Sequence, residues 1–162
     1  MTLSLYLVRH AEAAERDAER WPDDNERPLT KVGVRSFKKV AAGLALTTSV
    51  PETALSSPSL RAWQTAELLA KIGWPSPEAL AHLLPGGDPQ GVVAALPEDG
   101  RVALVGHAPD LGRIASLLLT GDPDRLTVDM RKGSVLTLDV DRSTATASLK
   151  WLAQPSMLRR ID

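Results

Sequence analysis

Short apolar runs alternate along this chain with segments whose apolar residues recur at helical spacing. The bulky runs 3–8 and 102–105 are typical of buried strands. Residues 54–56 are predicted as the end of a third strand, and 135–140 and 145–152 as two more strands joined by a tight turn. The pattern therefore predicts strands distributed over the whole chain.

Helices are predicted between these strands, and most have a recognisable start. Thr30 is an N-cap for the first helix, and Ser57 followed by Pro58 gives the second an N-cap and a proline at its first position. A short helix is expected over 89–96, and Pro109 opens another. Strands that alternate with helices predict an α/β fold with a mostly parallel central sheet and helices on both faces.

Length and composition narrow the class of protein. At about 100–200 residues per domain, 162 residues predict a single domain over 1–162. The formal net charge of -1 gives no overall basic field for nucleic acid or an anionic membrane, and we expect neither partner. No apolar run approaches the ~20 residues of a membrane span or has the form of a signal peptide, so a cytoplasmic location is expected. The absence of cysteine excludes disulfides, thiolate nucleophiles and cysteine-containing zinc sites.

Arginine and histidine side chains follow three of the predicted strands at the point where each strand ends. Arg9 and His10 follow the first strand, Arg61 lies just after the second, and His107 follows a later one. If these strands are parallel neighbours, the four side chains converge at the edge of the sheet where ligands of open α/β folds bind. Bringing two guanidiniums and two imidazoles together near helix N-termini has an electrostatic cost unless an anion compensates for it. Phosphate matches these groups in charge and in hydrogen-bonding geometry. The sequence therefore predicts a phosphate site.

A histidine in a phosphate site can bind the phosphate, transfer a proton or attack phosphorus. Neighbouring arginines disfavour the imidazolium form, so the ring is expected to be neutral with a free electron pair. A neutral imidazole that faces phosphorus, with arginines neutralising the phosphate oxygens, is suited to form a phosphohistidine. Spacing alone does not decide whether His10 or His107 attacks.

Four segments resemble the motifs of the histidine phosphatase superfamily, in particular of its SixA-type phosphohistidine phosphatase branch. They occur in the same order as in that branch: Leu7–Glu12, Arg27–Thr30 with Gly33, Ser57–Ala62 with Gln64 and Thr65, and Val105–His107 with Pro109. The resemblance implies a phosphoglycerate mutase-like three-layer sandwich. It also implies that His10 is the nucleophile and that Arg9 and Arg61 bind phosphate. His107 is then expected to complete the pocket and to stabilise the transferring group.

Two features depart from the family pattern. Ala11 replaces the glycine that usually follows the nucleophile, which requires a backbone without a strongly positive φ. The acid that protonates the leaving oxygen in many members has no clear counterpart. Glu12, Asp88 and Asp110 are candidates, and an ordinary solvated carboxylate is the favoured interpretation of each. An absent acid would suit a substrate with a labile P–N bond or another good leaving group.

The remaining notable residues are assigned to packing or to the surface. His82 lies in no motif, the pair Arg159 and Arg160 is most simply a solvated tail, and the tryptophans lack the interleaved basic residues of a base-stacking surface. Arg27 belongs to a matching segment, although a surface salt bridge is at least as good an interpretation. Metal binding by the two motif histidines is disfavoured, because arginines repel a cation and no third ligand is evident.

These observations predict a phosphatase that uses neither metal nor cofactor and forms a covalent phosphohistidine on His10. By resemblance, the preferred substrate is a protein that carries phosphohistidine, and the alternative within this class is a small phosphate ester. A mutase is disfavoured because no long insertion would enclose its phosphoryl group. The hypothesis from another class is a non-catalytic binder of a phosphoprotein or phosphometabolite, and the intact set of four site residues argues against it.

Overall fold

A six-stranded sheet runs through the middle of the protein in the computed structural model, which describes residues 1–162. Its strands are β1 (Leu3–Arg9), β2 (Thr53–Ser56), β3 (Glu78–Ala79), β4 (Gly100–Gly106), β5 (Val135–Asp141) and β6 (Thr146–Ala153). Their order across the sheet is β3-β2-β4-β1-β5-β6, and β5 alone runs opposite to the others. The predicted mostly parallel sheet is therefore confirmed.

Helices cover both faces of this sheet. They are α1 (Lys31–Thr47), α2 (Leu60–Ala70), α3 (Pro89–Ala95), α4 (Asp110–Thr120) and α5 (Pro155–Leu158). One face packs against α1, α2 and α5, and the other packs against α3 and α4. The arrangement confirms the expected three layers of helix, sheet and helix.

The first strand shows how the sequence pattern builds two cores. Tyr6 and Val8 join the core beneath α1 and α2, whereas Leu3, Leu5 and Leu7 join the core beneath α3 and α4. Alternate residues of a strand point to opposite faces, so an almost entirely apolar run is buried on both sides. Burial of one leucine of this kind contributes about 1.5–3 kcal/mol, and the strand thereby anchors the residues that follow it.

The N-cap prediction for α1 is confirmed. Thr30 has an extended backbone, and its hydroxyl accepts a 2.9 Å hydrogen bond from the N–H of Gly33. Apolar side chains at helical spacing, among them Phe37 and Leu44, then bury one side of the helix. The N–H of Thr30 also donates to the carbonyl of Glu12 at 3.1 Å, which joins the start of α1 to the loop after β1.

The predicted start of α2 is wrong. The helix begins at Leu60 with Ser59 in the N-cap position, and Pro58 precedes the helix rather than opening it. The hydroxyl of Ser57 accepts a 3.2 Å hydrogen bond from the N–H of Ser59 and lies 2.9 Å from Nε2 of His107. Ser57 is therefore engaged across the edge of the sheet, and no local pattern reveals such a contact.

The sequence pattern does not predict the strand β3 or the helix α5, because each is very short. β3 has two residues and α5 has four, which is too few to show a repeating apolar pattern. α5 nevertheless buries Leu158 in the core beside α1. Gly43 of α1 permits this close approach, because a Cβ there would overlap the backbone carbonyl of Leu158.

The carboxyl ends of β1, β2 and β4 meet at one edge of the sheet. β4 lies between β1 and β2 and is parallel to both. The N–H of His10 donates to the carbonyl of Gly106 at 3.0 Å, and the N–H of Ser57 donates to that of Val105 at 2.9 Å. These bonds continue the hydrogen bonding between strands past the strand ends. The polar turns that follow β1, β2 and β4 therefore begin side by side.

Candidate active site

His10 lies in the turn directly after β1 and is 5% exposed. Its Nδ1 is 2.7 Å from the backbone carbonyl of Ala11. A carbonyl oxygen only accepts hydrogen bonds, so in the neutral ring Nδ1 carries the proton and Nε2 keeps a free electron pair. The backbone of the next residue thus sets the tautomer of His10.

Burial and neighbouring cations hold His10 in its neutral form. The pKa of the imidazole is lowered to about 3, chiefly by burial and then by the positive charges of Arg61, Arg9 and Lys132. The hydrogen bond to Ala11 raises the pKa and is outweighed. The ring is uncharged at neutral pH as the sequence predicts, but burial has a larger effect than the arginines.

His107, in the turn after β4, is the second buried histidine of the site and is 4% exposed. Its ring centroid is 5.2 Å from that of His10, and Ser57 Oγ lies 2.9 Å from its Nε2. The pKa of His107 is lowered to about 3, chiefly by burial and then by His10, Arg61 and Arg9. Because both imidazoles are neutral at pH 7, the positive charge of the site comes from its arginines.

Arg9 and Arg61 bring two guanidinium groups to the same edge of the sheet. Arg9 donates from a terminal nitrogen to the carbonyl of Met130 at 2.6 Å, and the buried Arg61 donates to the carbonyl of Asp24 at 2.8 Å. In both side chains Nε is buried and has no hydrogen-bond partner. A buried N–H without an acceptor is costly, and an oxyanion held by these arginines would supply acceptors.

Asp24 holds Arg61 in place, and the sequence analysis missed it. Its carboxylate lies 3.2 Å from a terminal nitrogen of Arg61 and 3.0 Å from Nε of Arg27. Arg27 also donates to the carbonyl of Ala14 at 2.7 Å and is buried, so its side of the salt bridge is not at the surface. The hydrogen bond from Arg27 and the charges of both arginines lower the pKa of Asp24. Asp24 lies in an acid-rich loop, where nothing in the sequence distinguishes it from its neighbours.

Hydrogen bonds join the segments that carry the family resemblance. The hydroxyl of Thr65 accepts from the N–H of Ala11 at 3.0 Å and donates to the carbonyl of Arg61 at 2.8 Å. The side chain of Gln64 accepts from the N–H of Leu29 at 2.8 Å. Ala11 does not have a positive φ, so alanine is accommodated where the family usually has glycine.

A cleft of about 870 Å³ opens at this edge of the sheet. Its lining includes all four residues that the sequence analysis grouped, namely Arg9, His10, Arg61 and His107. The structure therefore brings these side chains together in one place. They reach it from three separate turns because β1, β2 and β4 are parallel neighbours.

The three carboxylates considered as proton donors lie in different places. Glu12 lines the cleft and is exposed. Asp88 is the N-cap of α3 and accepts a 3.1 Å hydrogen bond from the N–H of Gln90, and Asp110 accepts one of 3.0 Å from the N–H of Gly86. Neither Asp88 nor Asp110 lines the cleft, so the structure leaves only Glu12 of the three beside it.

Four further cations, here called the rim cations, line the cleft with exposed side chains: Arg16, Arg131, Lys132 and Arg159. Arg159 is solvent-exposed as expected, but it also donates to Ser36 Oγ at 3.1 Å and lines the cleft, a position that the sequence does not predict. No sequence pattern groups the rim cations, because they lie in three segments that only the folded chain brings together.

Other notable residues lie away from the cleft. His82 is exposed in the short 3-10 turn Ala81–Leu83, beside Gly91 of α3. Trp74 is buried and packs against Tyr6, with ring centroids 5.6 Å apart. The chain has no group of three or more histidine, cysteine, aspartate or glutamate side chains placed to hold a metal ion. None of its helices combines the length and apolar character needed to cross a membrane.

The site combines an uncharged base with a cationic surrounding. The free electron pair of His10 belongs to a buried ring, and the Nε–H groups of the nearby Arg9 and Arg61 have no hydrogen-bond partner. Such a site can bind an oxyanion and stabilise charge that develops on its oxygens. A neutral imidazole beside the bound group can also act as a nucleophile.

Comparisons with known proteins identify the family that this chain resembles over its length. Residues 5–83 match the model of the histidine phosphatase superfamily, branch 1. Phosphohistidine phosphatase SixA of Escherichia coli K12 is 30% identical in an alignment 165 positions long that covers 97% of this chain and 97% of that protein. An uncharacterised protein of Picosynechococcus sp. is 36% identical in an alignment 143 positions long that covers 84% of each chain.

Solved structures share the fold. The protein histidine phosphatase SixA, complexed with tungstate, has a TM-score of 0.84 at 28% identity, covering 96% of this chain and 99% of that chain. Phosphoglycerate mutase from Bacillus anthracis has a TM-score of 0.66 at 14% identity, covering 97% of this chain and 95% of that chain. The expected phosphoglycerate mutase-like sandwich is therefore confirmed.

Proposed function

This chain belongs to the histidine phosphatase superfamily, in its SixA-type branch, and we propose that it hydrolyses phosphohistidine carried by a protein. The proposed reaction proceeds through a covalent phosphohistidine on His10 and uses no metal ion. One observation carries the proposal: Nε2 of the neutral His10 is free beside Arg9 and Arg61, whose buried Nε donors lack partners.

The phosphoryl group of the substrate binds at Arg9 and Arg61. Their unpaired Nε donors give hydrogen bonds to the phosphoryl oxygens, and the two positive charges oppose the negative charge of the group. His107 completes the pocket beside His10. These groups are already in place before reaction, so they stabilise the transition state without further reorganisation.

Nε2 of His10 then attacks phosphorus in line with the leaving nitrogen. A bond forms between Nε2 and phosphorus, and the P–N bond of the substrate breaks with its electron pair remaining on the departing imidazole. That nitrogen takes up a proton from water or from Glu12, which lines the cleft. The hydrogen bond from Nδ1 to the carbonyl of Ala11 stabilises the positive charge that develops on the attacking ring.

Water hydrolyses the phosphoenzyme in the second half of the reaction. A bond forms between the water oxygen and phosphorus, and the Nε2–P bond breaks with its electron pair returning to Nε2. The attacking water loses a proton to the solvent, and inorganic phosphate leaves. His10 returns to the neutral form that its burial favours.

Two observations support phosphohistidine as the substrate. Imidazole leaves more easily than an alkoxide, so its departure needs less help from a general acid. The carboxylates that line the cleft, Glu12 and Glu15, are both exposed, and no ion pair holds either of them in a fixed position. A substrate whose leaving group needs little help from an acid fits such a cleft. The similarity to phosphohistidine phosphatase SixA supports the same choice.

A small phosphate ester is the second candidate substrate class. The observation in its favour is Glu12, because a carboxyl group beside the cleft can supply the proton that an ester oxygen needs. Comparison of kcat/KM for a phosphohistidine peptide with kcat/KM for a panel of small esters decides between the classes. We expect the peptide to be preferred, and a clear preference for one ester would overturn that assignment.

A rapid-quench labelling experiment tests the intermediate. The protein is incubated briefly with a phosphohistidine peptide and stopped with alkali, which should leave acid-labile, alkali-stable phosphate on His10. His10→Ala is expected to lose both label and turnover. His82→Ala, an exposed histidine outside the cleft, is the matched control and should keep both. Full turnover by His10→Ala would overturn the mechanism, whereas binding without turnover by the wild-type protein would identify a binding protein instead.

A further inference from the structure

The rim cations carry more charge than the proposed reaction uses, because of the four only Lys132 is among the cations that lower the pKa of His10. All four are exposed, line the cleft and take part in none of the ion pairs of the protein. Of their side chains, only that of Arg159 has a hydrogen bond, to Ser36. The phosphoryl group is already matched by the two arginines at the base of the site, so the rim has charge available for another part of the substrate.

The rim cations reach the cleft from three parts of the fold. One lies in the loop after β1, two lie before β5, and one follows α5. The segment before β5 is fixed beside the site, because the N–H of Gly133 lies 3.2 Å from the carbonyl of Arg9 and 3.0 Å from that of His10 and donates to both. Positively charged side chains that converge from separate segments produce a local positive potential at the entrance of the cleft.

Two carboxylates offset part of this field. Glu12 and Glu15 line the same cleft, and neither forms an ion pair with a rim cation. Four cations against two carboxylates leave an excess of two positive charges at the rim, in a chain whose formal net charge is -1. The positive charge is therefore concentrated where a substrate enters.

We propose that the rim cations form a docking surface for an acidic protein segment, namely the surface that surrounds the phosphohistidine of a protein substrate. This inference rests on the proposed function, because it concerns how a protein-borne phosphoryl group reaches the same site. Opposite charges around an exposed rim raise the rate of association and discriminate between partners. The rim cations give up no existing ion pair when such a partner binds.

Two synthetic peptides provide the test. Each carries one phosphohistidine, flanked by glutamates in the first peptide and by lysines in the second. At low ionic strength kcat/KM is expected to be higher for the acidic peptide. The difference should shrink as salt is added, because the Debye length falls from about 10 Å at 0.1 M to about 3 Å at 1 M.

A double variant locates the effect at the rim. Arg16→Gln with Arg131→Gln removes charge from two separate segments and leaves Arg9 and Arg61 unchanged. Its kcat/KM for the acidic peptide is expected to fall roughly 2- to 30-fold, the range for two exposed charge pairs. Lys71→Gln is the matched control: it removes an exposed charge just beyond α2, outside the cleft lining, and should keep the wild-type preference.

The outcomes separate this surface from the proposed function. Hydrolysis of both peptides with equal kcat/KM at every salt concentration would overturn the docking surface and leave the proposed function intact. So would an equal loss in the double variant and in Lys71→Gln. Hydrolysis of neither peptide would contradict the proposed function; binding of the two peptides, measured by titration, would then decide the docking surface, with preference for the acidic peptide supporting it and equal binding overturning it.

Discussion

The hydroxyl of Ser57 lies 2.9 Å from Nε2 of His107 and joins the turn after β2 to the turn after β4. The same hydroxyl accepts a hydrogen bond from the N–H of Ser59 at 3.2 Å, so it is held from both sides. Ser57 has no exposed surface, and water therefore does not replace it as a partner of the ring. The contact orients an imidazole whose direction the backbone alone does not determine.

Ser57→Ala is expected to lower kcat/KM about tenfold, because the His107 ring loses the partner that orients it. Steady-state kinetics with a phosphohistidine peptide measure the loss. Ser59→Ala is the matched control, since Ser59 is equally buried but its hydroxyl has no hydrogen-bond partner. That variant should keep the wild-type kcat/KM and an equal or slightly higher free energy of unfolding. Equal losses in the two variants would contradict the role given to Ser57.

The free energy of unfolding is expected to decrease as the pH falls below 6.5. Burial lowers the pKa of His10 and His107 to about 3, whereas histidine in an unfolded chain titrates near 6.5. Between these values the unfolded state binds more protons, so acid favours unfolding. At pH 5 one such histidine lowers the free energy of unfolding by about 2 kcal/mol relative to neutral pH. Urea denaturation at pH 7.5 and at pH 5 measures the difference.

A histidine variant assigns this pH dependence to the site. In His107→Asn the change in the free energy of unfolding between the two pH values should be smaller than in the wild-type protein. His82→Asn, which alters an exposed histidine outside the cleft, should behave like the wild type. If His107→Asn retained the full change, the buried neutral state of that ring would be ruled out as its cause.

Asp24→Asn is expected to destabilise the protein, because it leaves two buried guanidiniums, Arg27 and Arg61, without the carboxylate they share. The Asp24 side chain is 43% exposed, so water screens the pair and the expected loss is about 1–2 kcal/mol rather than that of a fully buried pair. Tungstate or inorganic phosphate should recover part of the loss by binding the folded state. Thermal unfolding with and without the anion measures both effects.

The control for this prediction is Asp124→Asn, which breaks the exposed Arg113–Asp124 pair outside the active-site cleft. Its stability should stay close to that of the wild type, and any effect of the anion should also stay at the wild-type level. A loss as large as that of Asp24→Asn would show that the cost is not specific to the arginines of the cleft.

Gly33→Ala is expected to lower the free energy of unfolding by about 1–3 kcal/mol, because the new Cβ would overlap the backbone carbonyl of Glu12. The overlap displaces the loop that follows His10, so kcat/KM should fall as well. Gly112→Ala is the matched control in α4, where the nearest side chain, Val128, is 3.4 Å from the added Cβ. That variant should gain up to about 1 kcal/mol from helix propensity. Chemical denaturation of both variants measures the contrast, and a stable Gly33→Ala would contradict the close packing of the loop on α1.

Local patterns account for what was predicted correctly. The apolar run of β1 and the cap at Thr30 depend on residues that are neighbours in the chain, so periodicity and spacing are sufficient to identify them. The convergence of His10 and His107 follows from one further rule, that parallel strands end at the same edge of a sheet. The contact of Ser57 with His107 and the position of Arg159 beside Ser36 were not predicted, because each joins residues that are far apart in the sequence.

Composition and the order of residues alone predict the chemical type of the site. The chain has no cysteine, and histidine and arginine side chains follow the predicted strands, which favours a phosphate site with an imidazole as the proposed nucleophile. Composition and residue order also predict a neutral imidazole from its arginine neighbours, but they do not reveal the burial that chiefly lowers its pKa, nor the direction of the side chains. Folding supplies the burial that lowers the pKa of both imidazoles, places Asp24 against Arg61 and brings the rim cations to the entrance. The reason is physical, because burial sets the pKa values and contacts between distant residues set the orientations of the side chains. Burial and these contacts arise only in the folded chain, where the loop after β1, the segment before β5 and α5 surround one cleft.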